Sequence, residues 1–333
     1  MIYSIHFSQQ ILTCLTIIMS VAGNWCLIES DPGVFNELMA GFGADGLECI
    51  EVYDTQNTEF FKDALGLIFL FQWGNDQKKE SKPLDFVDDN SIFFAKQVIN
   101  NACATQALIN VLFNVSSPNL KLGTTLTDFK SFVADFDSHM KGTALSDCEK
   151  LRLTHNSFAR PQVFEVDQSN QVRPEDVYHF VGFVPINGAV YELDGLKPSP
   201  VRVATINEGS SWLDVALPVI NTRMSECLDG KFNLMALVPS RLQMYQKLAL
   251  KYVANPPVDK SLISQNDCNI YAEKAKLAEQ RSENNRRRHN YLPFIIEYFK
   301  VLAENNLLIQ SVQTAKSKSK AQQSRAVAAA ARS

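Results

Sequence analysis

No Cys-x-x-Cys pair occurs in the chain, and its seven cysteines, Cys14, Cys26, Cys49, Cys103, Cys148, Cys227 and Cys268, are an odd number placed singly. That spacing argues against a zinc site or a disulfide framework and fits a reducing compartment. Histidine is scarce, with five in 333 residues. His6, His139, His155 and His289 fall at no ligand spacing, so no metal or other cofactor is expected. An excess of one charge is also lacking. The 32 Lys and Arg against 36 Asp and Glu leave a net charge of −4, which gives no support to direct nucleic-acid binding.

A membrane span is missing as well. The apolar run Gln10–Ala22 is too short to cross a bilayer comfortably, so no membrane association is expected. It has signal-peptide length, and Ser20-Val-Ala22 has the small residues of a cleavage site, but the first ten residues hold no Lys or Arg. Three readings follow for residues 1–23: a mis-assigned translation start, an extension packed on the domain, or an export signal. The rest is ordinary globular composition, 46% hydrophobic and 20% charged. Its length allows one large domain or two smaller ones.

One thiol stands where a helix begins. In Gln97-Val-Ile-Asn-Asn-Ala-Cys103-Ala-Thr-Gln-Ala-Leu, Asn100 and Asn101 are good cap residues and Ala102 to Leu112 reads as a largely apolar helix. The partial positive charge and spare N–H groups of a helix N-terminus stabilise a thiolate. On position alone, Cys103 is either such a nucleophile or an inert buried thiol.

A hairpin supplies its chemical complement. Val177–Val184 and Ala189–Leu193 are β-like runs flanking Asn187-Gly188, a strong two-residue turn signal. With Ile186 facing Ala189, Asp194 lies opposite Val181, and His179 becomes its diagonal neighbour on the same face. The pair is either a base with its orienting carboxylate or two charged groups on a solvated face. A thiol nucleophile, an imidazole base and a carboxylate that fixes the ring tautomer make a thiol hydrolase. Gln97, six residues before Cys103, leaves room for a loop to fold back. Its amide and the Cys103 N–H are then candidate oxyanion donors.

The blocks Asn24-Trp-Cys-Leu-Ile-Glu-Ser-Asp-Pro-Gly-Val-Phe35, Gly66–Phe71, Phe93–Gln106, His155-Asn-Ser-Phe-Ala-Arg160, His179-Phe-Val, Tyr191-Glu-Leu-Asp-Gly-Leu196 and Phe232-Asn-Leu-Met-Ala236 together resemble the ubiquitin carboxyl-terminal hydrolases. These are papain-like cysteine peptidases that act as deubiquitinases, and the blocks follow the family's order over most of residues 24–238. The resemblance implies Cys103 as nucleophile, His179 as general base, Asp194 as its orienter and Gln97 as oxyanion donor. It also implies ubiquitin and ubiquitin conjugates as substrate. The segment Arg286–Leu308 resembles the C-terminal helical extension of the family's proteasome-associated member, and the mass of 37.3 kDa fits it.

The expected fold class is α/β (α+β): a central, mostly antiparallel sheet surrounded by helices over residues 24–238, then an all-α extension over 239–312. Residues about 143–176, polar and with one helix-like patch at Leu151–Ala159, are expected to cross over the active site and limit what is threaded to it. Arg241–Ala254 reads as an amphipathic helix and Ser261–Arg288 as a long polar one. Pro293 sits in the first turn of a last helix with an apolar stripe at Phe294, Ile295, Tyr298, Phe299 and Leu302.

By the resemblance, that stripe meets the proteasome's ubiquitin receptor of the adhesion-regulating-molecule type, which relieves autoinhibition. A chromatin-remodelling subunit with a similar domain is an inhibitory alternative, and the cytoplasm and nucleus are the implied locations. Arg286–Arg288 reads as a localisation or acidic-partner patch, or as a solvated face. Residues 313–333 are expected to be disordered. A ubiquitin-binding scaffold with a silenced site and an exported general thiol peptidase stand as alternative functions.

Overall fold

A computed structural model of the chain describes residues 25–73, 84–158, 177–227, 232–255 and 259–330. The run Gln10–Ala22 and the segment 159–176 lie outside the described residues. Six strands form one sheet: β1 (Leu47–Glu51), β2 (Gly66–Trp73), β3 (Val177–Ile186), β4 (Ala189–Leu193), β5 (Val201–Thr205) and β6 (Phe232–Pro239). Their order is β1-β6-β2-β3-β4-β5, and each neighbouring pair is antiparallel.

Alternation along the strands builds two cores. Leu67, Phe69 and Phe71 of β2, Val181 and Phe183 of β3, and Leu234, Ala236 and Val238 of β6 face one side. There they meet Leu213, Leu217 and Ile220. These come from α6 (Trp212–Glu226), for which α1 (Pro32–Phe42), α2 (Cys103–Asn114), α3 (Gly123–Phe132), α4 (Ser138–Asp147) and α5 (Glu149–Asn156) precede in the chain. The intervening residues Ile68, Phe180, Val184, Met235 and Leu237 face the other side, under Phe35, Leu38 and Phe42 of α1 and Leu108, Ile109 and Leu112 of α2.

The central hairpin has the register read from sequence: Ile186 pairs with Ala189, Val184 with Tyr191 and Gly182 with Leu193. Asn187 and Gly188 both take positive φ, 48° and 79°, as a type I′ turn requires. The helix-like patch at 151–159 is realised as α5, which starts earlier and ends at Asn156, while residues 143–147 complete α4.

After the sheet come α7 (Arg241–Ala254), capped by Ser240, and α8 (Lys260–Arg288). The expected boundary at residue 239 moves. Both helices belong to the unit that carries the sheet, and a second unit takes the helices after His289. Side chains on α8 explain this. Asn284 Nδ2 donates to the Gly33 carbonyl (2.9 Å), and Arg287 holds Glu29 and Asp31 at 2.8 and 2.9 Å. Arg288 pairs with Glu37 at 2.7 Å and lies over the Phe158 ring. Two of the three arginines thus clamp α8 to the start of α1 and the end of the α5 segment. Arg286 pairs within the helix, with Glu283. Arg286, 54% exposed, fits the solvated-face reading, whereas Arg287 and Arg288 fit neither that nor an open basic patch.

The second unit contains α9 (Leu292–Glu304), with Pro293 in its first turn, and α10 (Leu308–Ala330). The expectation of disorder from 313 onward is corrected as far as Ala330. Alanine, lysine and glutamine have high helix propensity, and composition poor in large apolar side chains does not prevent a helix. Among the described residues no helix is long and apolar enough to cross a membrane.

Candidate active site

Cys103 opens α2 after a 3₁₀ turn, Asn100–Ala102. Neither asparagine caps the helix. The N-cap is Ala102, with no side-chain cap bond, and Asn101 Nδ2 instead donates to the Trp25 carbonyl at 3.0 Å. Burial dominates the thiol and pushes its pKa up to about 11, while the backbone amides of Ala104, Cys103 and Phe180 pull it down. The amides at the helix start act in the expected direction, and burial outweighs them.

The Phe180 amide places that sulfur. The ladder between β3 and β4 ends at Gly182 and Leu193, and β3 continues beyond it to Val177. In this stretch the Phe180 N–H acts on Cys103 Sγ, one residue from His179.

His179 and Asp194 are buried, with 3% and 4% exposure, which rules out a pair on a solvated face. Nε2 of the imidazole donates to Asp194 Oδ1 at 2.6 Å. An ionised carboxylate only accepts, so the proton is on Nε2 and the lone pair of the neutral ring is on Nδ1. Burial acts to raise the Asp194 carboxyl. The His179 hydrogen bond and charge, the Leu196 amide and Lys197 outweigh it, and the pKa is lowered. The Leu196 amide donates to Oδ1 at 3.0 Å, and the Phe71 ring meets the imidazole edge-on at 5.8 Å. The orientation of the ring is therefore fixed from two sides.

Gln97 arrives by a zipper. Asn114 brackets Phe93, accepting from its N–H at 2.8 Å and donating to its carbonyl at 2.6 Å. Asn110 does the same for Ala95, at 2.8 and 3.1 Å, and Gln106 adds a second donor to the Ala95 carbonyl. Three amides one turn apart thus hold the segment 93–97 along the helix in place of a strand ladder. At its end, the Gln97 N–H donates to the Gly195 carbonyl at 2.8 Å. A side chain at Gly195 would put Cβ 2.9 Å from Gln97 Cβ and 2.8 Å from Gln106 Nε2, so glycine is required there.

The four residues singled out from the sequence therefore share one neighbourhood. Cys103 touches the residue after His179, His179 touches Asp194, and Gln97 touches the residue after Asp194. Sequence reasoning missed the supports, Gln106, Asn110 and Asn114. Their signal was three amides at i, i+4 and i+8 in a helix buried throughout from Cys103 to Phe113. It also missed His155, which is fully buried between α2 and the Cys26 backbone. Among the described residues no group of three or more His, Cys, Asp or Glu could hold a metal ion.

A helix-terminal thiol beside a buried imidazole–carboxylate pair, on an antiparallel sheet wrapped by helices, defines a papain-like thiol hydrolase. Residues 25–225 match the profile described as ubiquitin carboxyl-terminal hydrolase, family 1, and residues 263–308 match a second, described as ubiquitin carboxyl-terminal hydrolases. Ubiquitin carboxyl-terminal hydrolase ubh-4 of Caenorhabditis elegans is 45% identical over 312 residues, 91% of this chain and 96% of its own length. Isozyme L5 of Dictyostelium discoideum is 37% identical over 339 residues, 90% of this chain and 97% of its own. The crystal structure of Trichinella spiralis UCH37 bound to ubiquitin vinyl methyl ester superposes with a TM-score of 0.61 at 35% identity, covering 80% of this chain and 100% of that one. The chain belongs to the ubiquitin carboxyl-terminal hydrolases of family 1, and it is a cysteine peptidase of the deubiquitinating type.

Proposed function

We propose that Cys103 is the nucleophile with which this enzyme cleaves bonds at the C-terminal glycine of ubiquitin. His179 Nδ1 takes the thiol proton as Sγ attacks the terminal carbonyl. Gln97 and the Cys103 N–H donate to the oxyanion, and the protonated imidazole, steadied by Asp194, returns its proton to the departing amine. The ring then activates water, which releases ubiquitin from the thioester. The observation that carries this reading is the buried His179–Asp194 hydrogen bond at 2.6 Å on β3, next to Phe180, whose amide lowers the pKa of the Cys103 thiol.

Cys103→Ala is expected to abolish hydrolysis of a ubiquitin C-terminal ester while ubiquitin binding survives. His179→Ala should be nearly as damaging, and Asp194→Asn milder. Turnover retained by Cys103→Ala would refute the covalent route. Labelling of Cys103 by a ubiquitin probe with a C-terminal electrophile excludes a silent scaffold. Inactivity on unrelated short peptides excludes a general peptidase.

Of the segment expected to cross the site, residues 143–156 are instead packed as α4 and α5, and the part outside the described residues, 159–176, is proposed to gate access, so that small or unfolded leaving groups are cut faster than folded conjugates. A variant shortened there with unchanged selectivity would count against it. The partner proposed for the C-terminal helices is the proteasomal ubiquitin receptor of the adhesion-regulating-molecule type, placing the enzyme with proteasomes in cytoplasm and nucleus. A chromatin-remodelling subunit is the inhibitory counterpart. Support comes from α9, whose Phe294, Ile295, Tyr298 and Phe299 are all exposed, as a groove-seeking helix face would be. Hydrolysis measured with and without the receptor's helical domain tests this. Stimulation should vanish in Phe294→Asp with basal turnover intact.

A further inference from the structure

His155 makes two short contacts and has no exposed surface. Its Nε2 lies 2.7 Å from the Cys26 carbonyl and its Nδ1 2.7 Å from Thr105 Oγ1. A carbonyl only accepts, so Nε2 carries the proton, Nδ1 accepts, and the Thr105 hydroxyl donates. Thr105 is the third residue of the helix that Cys103 opens.

The backbone that His155 holds is committed on every side. The Cys26 N–H donates to Asn156 Oδ1 at 3.1 Å, and the Trp25 indole donates to the Ser146 carbonyl at 3.1 Å. The same indole stands edge-on to the imidazole, 4.8 Å between centroids. The Trp25 carbonyl receives Asn101 Nδ2, from the turn that runs directly into Cys103. A closed set of contacts therefore runs from α2 through Thr105, His155, the strap Trp25–Cys26 and Asn101 back to α2. It brackets the turn at Asn101 and the first helical residues to Thr105, with Cys103 between them.

We propose that His155 is a positioning residue of the hydrolytic site, holding that turn through Thr105 and the Trp25–Cys26 strap so that the Cys103 sulfur and amide meet the substrate carbonyl. The inference rests on Cys103 being the nucleophile. His155 touches neither substrate nor the reacting atoms. Its effect is on the angle at which they are presented, and displacement by an ångström in such a site lowers turnover steeply.

The test is ubiquitin C-terminal ester hydrolysis by the full chain carrying Thr105→Val, His155→Ala or His155→Gln, with kcat and KM resolved and thermal midpoints measured alongside. Thr105→Val keeps the volume and removes only the hydroxyl. Gln offers one donor and one acceptor spaced much like the two ring nitrogens. Thr105→Val and His155→Ala should lower kcat by roughly 10- to 100-fold with KM unchanged, and His155→Gln should restore most of it. Midpoints lowered with kcat unchanged would overturn the proposal, because that is the signature of a merely structural group. If His155→Ala does not fold, Thr105→Val decides. Wild-type protein without turnover would overturn the nucleophile assignment itself.

Discussion

The backbone N–H of Gln97 donates to the carbonyl of Gly195 at 2.8 Å, joining the segment that leads to the nucleophile to the residue after Asp194. No space is left for a methyl group between them. Gly195→Ala is therefore expected to push the two segments apart. Overpacking of this kind costs about 1–3 kcal/mol. The same shift should reduce kcat by roughly 10-fold or more. Urea unfolding and ester hydrolysis measured on one preparation check both, and an unchanged kcat would mean the junction does not serve the site.

Acid stability should have two stages. Burial lowers the His155 pKa to about 4, below its ordinary 6.5. The unfolded chain thus binds this proton first as pH falls, and stability that is full above about 6.5 is lost between there and about 4. The slope is at most about 1.4 kcal/mol per pH unit. Asp194, with a lowered pKa, adds a second loss once pH falls below the ordinary Asp range. Urea midpoints between about pH 7 and about pH 2 should follow this course, and His155→Gln should flatten the first stage alone.

Arg288 lies 4.2 Å from the centroid of Phe158 and pairs with Glu37. A double-mutant cycle of Arg288→Ala with Phe158→Leu should show a coupling of about 0.5–2 kcal/mol. A coupling of zero would mean that the stacked geometry contributes nothing to stability.

Truncation should separate the two units. Ending the chain after Arg288 keeps the contacts of Asn284, Arg287 and Arg288 with α1, and the thermal midpoint should barely move. Ending it before Lys260 removes those contacts, together with Lys276, one of the two cations beside Glu48, and uncovers the α1 surface that α8 packs on. A clear loss of stability is expected there. Equal midpoints for the two truncations would show that α8 is not part of the folded unit.

Much of this was legible in the sequence because it is local. The hairpin register follows from Asn187-Gly188 and the alternation around it. That register alone put His179 beside Asp194. The helix at Arg241 follows from its amphipathic period, and the start of α9 from Pro293. What was not legible depends on distant partners. Arg287 and Arg288 read as part of a patch because Glu29, Asp31 and Glu37 are some 250 positions away in the chain. Asn101 read as a cap because a cap is the local use of asparagine, and the Trp25 carbonyl that claims it is a tertiary contact. The thiol's pKa could not be read either. Helix position is encoded locally, but the burial that outweighs it is set by the whole domain.

The amide zipper on α2 also governs how the site responds to thermal motion. The amides fasten Phe93 and Ala95 to the helix that Cys103 opens, whereas Gln97, two residues further on, is fastened to Gly195 just beyond β4. Any shift of that helix against the end of β4 is therefore taken up in the short span between the two fastenings, and Gln97 follows the strand end rather than the helix.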